Sequence, residues 1–501
     1  MKRISLEKFT LGSVGILAIT TLLSRLVGFG RWLTQGAFVG SGEVAGAYAL
    51  ANQVPNIIVE IVIGGALTGI MIPVLAGAVS AKQKQEVNAI ASALLTWVTL
   101  ILSLLAVSVF FLAPHIAGWL PIPAGANVEN QLNLITVFLQ IFAWQLPLYG
   151  VALVLGGVLQ AQEKFFWPAI TPLFSSLVTI ASFWAYQQLL VSADATAAVQ
   201  GLAWGTTAGV MALSIPLFIP VWLSGVRLRP SLGISAEVRK QALQLGGAGV
   251  VTLIAQQVSV FGGLLLMRKF GDPGTVAIFQ YGQAIYMLPY ALLIFPVVTA
   301  FYPRMAALYA AGDSLELSAQ AEQTLEKVLK AGALGRAGLL AATPVAVAVF
   351  SFLTPVVGMG LMLYAMAFSL TGYGVMYFGQ RVFYALGQVR MAAVVAIQTW
   401  ALVILFQVIF VVGLSFPQVS HFTSVTEVGA QTLLGMGLGF AVGLGMSQFL
   451  YIRVLSKVLP QSQLRQALSQ TWKFSMLTLF AGIISAYLLN QVLVLFEGVL
   501  R

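Results

Sequence analysis

The sequence contains no cysteine and very little charge. Of its 501 residues only 8% are charged, 59% are hydrophobic and two are histidine. A soluble domain needs about a quarter of its residues charged to cover its surface, so this composition excludes an ordinary soluble protein. Without cysteine there can be neither a disulfide nor a thiolate metal site.

Acidic residues are also scarce, which argues against an enzyme. The 15 Asp and Glu residues form no cluster of the kind that polyprenyl-handling transferases use to hold a divalent metal. His115 and His421 are far apart in the sequence, so no metal centre is predicted. There is no Gly-Lys-Ser/Thr phosphate loop, so the chain is not itself an ATPase. We predict no catalytic residue, no metal and no cofactor.

The net charge of +10 does not indicate nucleic-acid binding, because the basic residues form neither a patch nor an arm. They are spread over short connections between apolar runs, where positive charge sets membrane orientation. With a cytoplasmic N-terminus, most of the 25 Lys and Arg fall in cytoplasmic segments, and Arg268, Lys269 and Arg501 fall outside. We therefore predict a cytoplasmic N-terminus.

Apolar runs of 18 or more residues recur along the whole chain, and each could cross about 30 Å of hydrocarbon. The sequence therefore predicts an all-α polytopic membrane protein with thirteen spans. They lie near residues 10–38, 44–76, 88–112, 131–160, 165–190, 198–223, 244–267, 275–302, 328–353, 358–386, 391–414, 429–452 and 470–495. The polar segment 311–330 is expected to be a short amphipathic cytoplasmic helix that leads into span nine, or a solvated linker.

A weak internal repeat divides the chain into two lobes. Ile72-Pro73 in span two recurs as Tyr302-Pro303 in span eight, 230 residues later, and Val158-Leu-Gln-Ala161 recurs as Val382-Phe-Tyr-Ala385. Six spans per unit give both halves the same direction, so we predict a pseudo-two-fold axis along the membrane normal and a substrate path between the halves. The predicted domains are an N-lobe at 1–230, a C-lobe at 231–460 and an extra C-terminal transmembrane helix at 461–501.

Charged residues within the predicted spans are few, because a central Arg or Asp costs about 2.5–3.5 kcal/mol on insertion scales. Arg336 and Arg381 lie near cytoplasmic ends and are expected to snorkel towards water. Arg25, Arg31 and Glu60 lie deeper.

Arg25 and Arg31 are separated by about 120° around an ideal helix, so both can border one cavity. One interpretation is a buried ion pair with Glu60, but one carboxylate cannot neutralise two arginines. We favour a cationic cavity that receives an anion, because Arg can bind phosphate bidentately.

The first two spans also contain residues that permit bending. Pro55 frees a backbone carbonyl that Asn52 or a neighbouring helix could satisfy, and Asn56 adds a further polar group. An alternative is plain helix packing through Gly64, Gly65 and Gly69. The predicted hinge residues are Gly28, Gly30 and Pro55.

Several of these segments together resemble one family. They are Ser24-Arg-Leu-Val-Gly-Phe-Gly-Arg31, Asn52-Gln-Val-Pro-Asn56, Gly64-Gly65-Ala66 and Ile72-Pro73-Val-Leu75, with weaker matches at Gln162–Pro168 and Arg381–Ala385. The sequence resembles the MurJ (MviN) family of lipid II flippases, in the MATE-like multidrug/oligosaccharidyl-lipid/polysaccharide exporter superfamily.

The resemblance implies two six-helix lobes and export of undecaprenyl-diphosphate-linked peptidoglycan precursor across the bacterial cytoplasmic (inner) membrane by alternating access. It implies two extra C-terminal helices, whereas one is predicted here, which is what a truncated chain would show. The expected partners are the lipid-linked diphosphate oligosaccharide, membrane lipid and cell-wall synthesis proteins, with no nucleic acid. The expected substrate-binding residues are Arg25, Arg31, Ser24, Glu60, Asn52 and Asn56.

The sequence departs from the family pattern at positions that matter for the cavity. A family acid early in span two matches Gly46, a basic pair matches Val59 and Glu60, and a span-eight arginine matches Ala284. The cavity is therefore expected to be less basic than in better-known members. The Glu60 variant resembles what is expected of the actinobacterial branch.

Other functions stay open at this point. An ion-coupled small-molecule (MATE-type) or polysaccharide-lipid exporter is the main alternative, and a membrane scaffold for cell-wall enzymes is another. The sign of the cavity discriminates between the first two readings, because exporters of cationic drugs favour acidic cavities.

Overall fold

The computed structural model describes residues 11–64, 75, 83–192, 194–233, 236–416, 427–459 and 464–500. Every regular element of this part of the chain is helical. In chain order the helices are α1 (Leu11–Phe38), α2 (Glu43–Val59), α3 (Lys84–Trp119), α4 (Val128–Ala143), α5 (Gln145–Ala161), α6 (Phe166–Val191), α7 (Ala195–Ser214), α8 (Phe218–Leu223), α9 (Ala236–Phe270), α10 (Thr275–Pro289), α11 (Phe295–Ala310), α12 (Ser314–Leu353), α13 (Met359–Ala367), α14 (Leu370–Ala385), α15 (Val389–Leu414), α16 (Val428–Val458) and α17 (Leu464–Leu500).

The helices match the predicted spans. Within the described ranges, 10 helices are long and apolar enough to cross a membrane, or up to 11 with the pair α13 and α14, which is bent by 52°. Helix α1 coincides with the first predicted span, and α2 covers the first part of the second. The rest of that span, with Gly65, Gly69 and the Ile72-Pro73 motif, lies outside the described residues. Each of the thirteen predicted spans therefore contains a helix, and the prediction of an all-α, multi-pass membrane protein is confirmed.

The polar segment 311–330 leads into span nine as a helix, which is one of its two predicted forms, and is not a solvated linker. From Ser314 it belongs to α12, which runs without a break through 40 residues. The Asp313 carboxylate caps the helix by accepting a hydrogen bond from the Glu316 N–H at 3.0 Å. Leu317, Ala321 and Leu325 are buried along one face, so packing holds the polar segment in the same helix as the span.

Two π-helical turns interrupt corresponding helices. One spans Glu60–Gly64 after α2 and the other spans Tyr290–Ile294 after α10. They begin 230 residues apart, which is the spacing of the repeated Ile72-Pro73 and Tyr302-Pro303 motifs. The backbone thus carries the same irregularity at the same point of both repeats.

Residue contacts divide the chain into two compact units. Unit 1 contains residues 1–40, 47–119 and 129–250, and unit 2 contains residues 41–46, 120–128 and 251–501. The lobe boundaries at 230 and 460 remain a prediction, since they were drawn from the repeat and not from contacts.

The centre of unit 1 is built around Tyr48 of α2. Its ring makes edge contacts with Phe138 and Phe142 of α4 and with Phe183 of α6, at centroid distances of 5.6, 5.6 and 6.1 Å. Its hydroxyl shares a hydrogen bond of 3.1 Å with Thr206 of α7. One buried side chain therefore joins four helices, with its polar end satisfied.

The connection after α8 is fastened along α3. The backbone N–H groups of Arg227, Arg229 and Ser231 donate to side chains one helical turn apart, at 2.9, 3.0 and 3.1 Å. The acceptors are Asn88, Ser92 and Thr96. In an extended chain every second N–H group points to the same side. The N–H groups of alternate residues therefore meet side chains on successive turns of α3.

Unit 2 relies on very close helix contacts. On α16, Gly435, Gly439 and Gly443 lie one turn apart, and a Cβ at each would come within 2.5–2.8 Å of the backbone of α15. Spans in a membrane have little hydrophobic driving force to associate, so small residues that allow close van der Waals packing replace it.

Several connections between helices contact one another within unit 2. The predicted topology places all of them on the outer side of the membrane. The Ser41 hydroxyl donates to the Pro355 carbonyl at 2.6 Å, and the Arg268 Nε donates to the Pro121 carbonyl at 2.9 Å. Gly46 and Gly274 allow the tightest approach: a Cβ on Gly46 would lie 1.7 Å from the Pro273 carbonyl oxygen. The shared side of these connections agrees with the alternation of the predicted spans.

Arg336 of α12 does not snorkel as expected. Its Nη2 donates to the carbonyl and hydroxyl oxygens of Ser475 on α17, at 2.6 and 2.8 Å. Gly482 lets the same two helices touch, since a Cβ there would lie 2.8 Å from the Ala337 Cα. The last helix is therefore held to α12 by a charged hydrogen bond and a backbone contact.

We expect Gly46→Ala to destabilise the protein, because the new methyl group would overlap the Pro273 carbonyl. Overpacking of this kind costs about 1–3 kcal/mol. The measurement is the apparent unfolding temperature of the purified protein in detergent. Gly445→Ala on α16 is the matched control, because its Cβ would meet nothing within 4 Å and helix propensity favours alanine. Equal unfolding temperatures for the two variants would contradict the prediction.

We also expect Ser475→Ala to weaken the attachment of α17. The substitution removes one acceptor of the Arg336 guanidinium, and a hydrogen bond to a charged group contributes about 1.5–3 kcal/mol. Its unfolding temperature should fall below that of Ser469→Ala, whose hydroxyl bonds only to Gln466 of its own helix. An unchanged value would show that the carbonyl bond alone suffices.

Candidate functional site

The solvent exposure of three polar side chains decreases along α1. α1 continues without a break through Gly28 and Gly30. Arg25 is exposed, Arg31 is half-buried and Gln35 is 3% exposed. Access to these side chains thus decreases along the helix.

Arg31 lies among aromatic side chains. Its guanidinium carbon is 5.2 Å from the ring centroid of Trp32, and its charge interacts with the hydroxyls of Tyr48 and Tyr149. Its Nε is buried and has no hydrogen-bond partner, and the same is true of the Gln35 Nε2 one turn further on. Two donors on one face of α1 therefore lack an acceptor.

Ser24 has a structural partner. Its hydroxyl donates to the Ala169 carbonyl of α6 at 2.9 Å, and α1 packs along α6. Gly28 is in ordinary contact, since a Cβ would lie 3.9 Å from the Ser176 hydroxyl, and a Cβ on Gly30 would meet nothing within 4 Å. Neither glycine is required for close packing, and their role as hinges remains a prediction.

The polar residues of α2 are half-buried and lie near its proline. The Asn56 Nδ2 donates to the Asn52 carbonyl at 3.0 Å, within the helix. Pro55 is buried, and the π-helical turn begins five residues after it, at Glu60. The Glu60 side chain is exposed, and its pairing with Arg25 or Arg31 remains a prediction.

The structure explains one departure from the family pattern. Gly46 packs against the Pro273 carbonyl so closely that no acidic side chain could occupy the position without a shift of backbone. The other departures, Val59 and Ala284, are half-buried positions on α2 and α10.

Sequence reasoning missed Gln35, Tyr48 and Tyr149 as neighbours of Arg31. Gln35 could have been found from its spacing, because residues four apart share a helix face. The tyrosines depend on packing between helices, which periodicity does not give. Among the described residues, no group of three or more His, Cys, Asp or Glu could hold a metal ion.

Comparison with known proteins identifies relatives. The family model described as lipid II flippase MurJ matches residues 36–498, a range that begins after Arg31. A probable lipid II flippase MurJ from Rhizobium meliloti is 26% identical over 318 residues, which cover 62% of this chain and 57% of the relative. A lipid II flippase MurJ from Burkholderia cenocepacia is 23% identical over 348 residues, or 67% of this chain and 62% of the relative. The chain thus spans less than two thirds of these relatives.

Solved structures share the fold at low sequence identity. A structure described as lipid II flippase MurJ in an inward closed conformation has a TM-score of 0.67 and 16% identity, and the match covers 97% of this chain and 99% of that one. An inward-facing multidrug resistance MATE family transporter of the MOP superfamily has a TM-score of 0.68 and 15% identity, and the match covers 89% and 99%. The predicted MATE-like fold is therefore confirmed. Because the family model covers most of the sequence, this chain belongs to the lipid II flippase MurJ family.

Proposed function

We propose that this protein moves undecaprenyl-diphosphate-linked peptidoglycan precursor, lipid II, from the inner to the outer leaflet of the bacterial cytoplasmic membrane. The observation that carries the proposal is the pair of arginines on α1, of which Arg25 is exposed and Arg31 is half-buried with an unpartnered Nε. Family membership supports a transporter and not an enzyme.

Arg25 and Arg31 suit a diphosphate for electrostatic reasons. A guanidinium presents a planar fork of donors that matches phosphate oxygens, and the half-buried position of Arg31 reduces screening by water. Substrate enters at Arg25 and next reaches Arg31. An outward-moving diphosphate also gains about 2.3 kcal/mol per negative charge per 100 mV of inside-negative potential. Asn52 and Asn56 of the same unit supply further polar contacts. Glu60, whose carboxylate repels a diphosphate and only accepts hydrogen bonds, is proposed to contact the sugar-peptide part of the substrate.

The proposed mechanism is alternating access between an N-lobe at 1–230 and a C-lobe at 231–460, with 461–501 forming the extra helix. Gly28, Gly30 and Pro55 are the proposed bending points. The N-terminus is proposed to be cytoplasmic, and cell-wall synthesis proteins are the proposed protein partners.

A second candidate is an ion-coupled small-molecule exporter, favoured by the structural similarity to MATE family transporters. Cationic drugs would be repelled by two arginines on one helix, so an arginine-lined site favours an anionic substrate. Fold similarity alone carries no substrate specificity.

We expect Arg25→Ala and Arg31→Ala each to abolish flipping, because each removes an anion ligand. Arg→Lys at either position should restore flipping only in part, since lysine keeps the charge but loses the fork. The measurement is the accessibility of lipid-linked precursor on the outer leaflet of cells depleted of their own flippase and supplied with each variant. Wild-type flipping by the double alanine variant would refute the proposed site.

We expect a reporter that works only in the cytoplasm to be active at the N-terminus and silent after residue 501. Thirteen crossings place the two ends on opposite sides, and the excess of Lys and Arg in alternate connections sets the direction. A second silent fusion in the 271–274 connection is the control, because the same topology places it outside. Strong activity at the C-terminal fusion would show an even number of crossings.

A further inference from the structure

We propose that Gln35 is a third phosphate ligand of this transporter and acts together with Arg31 after substrate has passed Arg25. The inference rests on the proposed function, because it takes the diphosphate as the ligand. It goes beyond that function by adding a residue outside the Ser24–Arg31 segment and by stating the order in which the substrate contacts the three ligands.

The Gln35 amide is buried without a hydrogen-bond partner, which is energetically unfavourable. Its side chain is 3% exposed, and its Nε2 is buried with no hydrogen-bond partner. A buried donor without an acceptor destabilises a protein by about 1–3 kcal/mol. Native proteins seldom keep such a donor unless a ligand or water uses it. Gln35 therefore has the properties of a group held ready for an acceptor.

Arg31 is a second buried donor without a partner, next to Gln35 on α1. Arg31 lies one turn earlier on the same face of α1, and its Nε is also buried and without a partner. A water molecule could satisfy one of these donors but would not neutralise the guanidinium. An anion with several oxygens satisfies both donors and the charge, and a diphosphate offers acceptor oxygens on two adjoining phosphorus atoms.

The three side chains on α1 differ in their exposure. Exposure falls from Arg25 to Arg31 to Gln35, which are 6 and 4 residues apart on one continuous helix. In the conformation described here the Arg25 side chain is exposed, whereas the Gln35 side chain is covered. Contact with Gln35 therefore requires rearrangement of the surrounding side chains, and it belongs to a later step than the first binding event.

This order separates the effects of the variants. Arg25 governs capture of the substrate, so its loss should weaken binding. Gln35 acts in a state reached after the first binding event, so its loss should lower the turnover rate and weaken binding in that later state, while capture at Arg25 is retained. Removal of one hydrogen bond to a charged group predicts a fall in turnover of about tenfold or more.

The test uses the full chain in lipid nanodiscs, with undecaprenyl diphosphate as the probe, together with the outer-leaflet accessibility measurement in depleted cells. Gln35→Leu should reduce flipping about tenfold and shrink the rise in unfolding temperature that a saturating amount of the probe produces. The unfolding temperature of the empty variant should equal or exceed that of the wild type, because the change removes an unpaired buried donor. A residue with a merely structural role would instead lower it.

Gln407→Leu on α15 is the matched control. Gln407 is 2% exposed and also has a buried atom without a partner, but that atom is its Oε1, an acceptor. Its loss should leave both flipping and the response to the probe unchanged. Gln35→Met, which keeps the length without the branch, replaces Gln35→Leu if the leucine variant does not accumulate in the membrane.

Two results would overturn the inference. One is wild-type flipping by the Gln35 variant with a full response to undecaprenyl diphosphate, while Arg31→Ala is inactive. The other is a lower unfolding temperature of the empty variant with a full response to the probe, which would make Gln35 a packing residue. If Arg31→Ala also behaves as the wild type, and the wild type does not respond to the probe, the proposed function itself fails.

Discussion

Hydrocarbon offers no hydrogen bonds, so every polar group in a span needs a partner from the protein or from a ligand. Two arginines in the described part of the spans are tied to neighbouring groups of the protein. Arg336 donates to Ser475, and the Arg381 Nη2 donates to the Tyr377 hydroxyl at 3.1 Å while its guanidinium lies over the Tyr302 ring. The Nε atoms of Arg31 and Arg336 are both buried without an acceptor, but Arg336 is held through its Nη2, whereas the contact that the described residues give the Arg31 guanidinium is the Trp32 ring. That difference separates an arginine that holds two helices together from the one proposed to bind an anion.

The same constraint explains the way in which the helices pack. Apolar side chains gain little by leaving lipid for protein, so close approach of backbones contributes much of the association. The three glycines on α16 and the contact of Gly46 with Pro273 both follow this rule. Gly46 matches a position where the family pattern has an acidic residue. Here the close contact with the Pro273 carbonyl leaves no room for that side chain.

The sequence predicted the helices well because their length and hydropathy are set by the thickness of the bilayer alone. It failed where a partner from another element decides the outcome. Arg336 was expected to reach water, but a serine on the last helix binds it. For the polar segment 311–330 the sequence left a helix and a linker open, and burial of its apolar face makes it the first part of α12. The site was predicted in part: Arg25 and Arg31 follow from their charge, whereas the lack of an acceptor for Arg31 and Gln35 depends on neighbouring helices.

The paired π-helical turns change which way the following side chains face. A π-helical turn holds more residues than the α-helical turn it replaces, so the residues after it are rotated about the helix axis relative to those before it. The turns at Glu60–Gly64 and Tyr290–Ile294 begin 230 residues apart, at equivalent places in the two predicted repeats. The same rotation is therefore built into both predicted repeats, so that their helices leave the turn with matching faces.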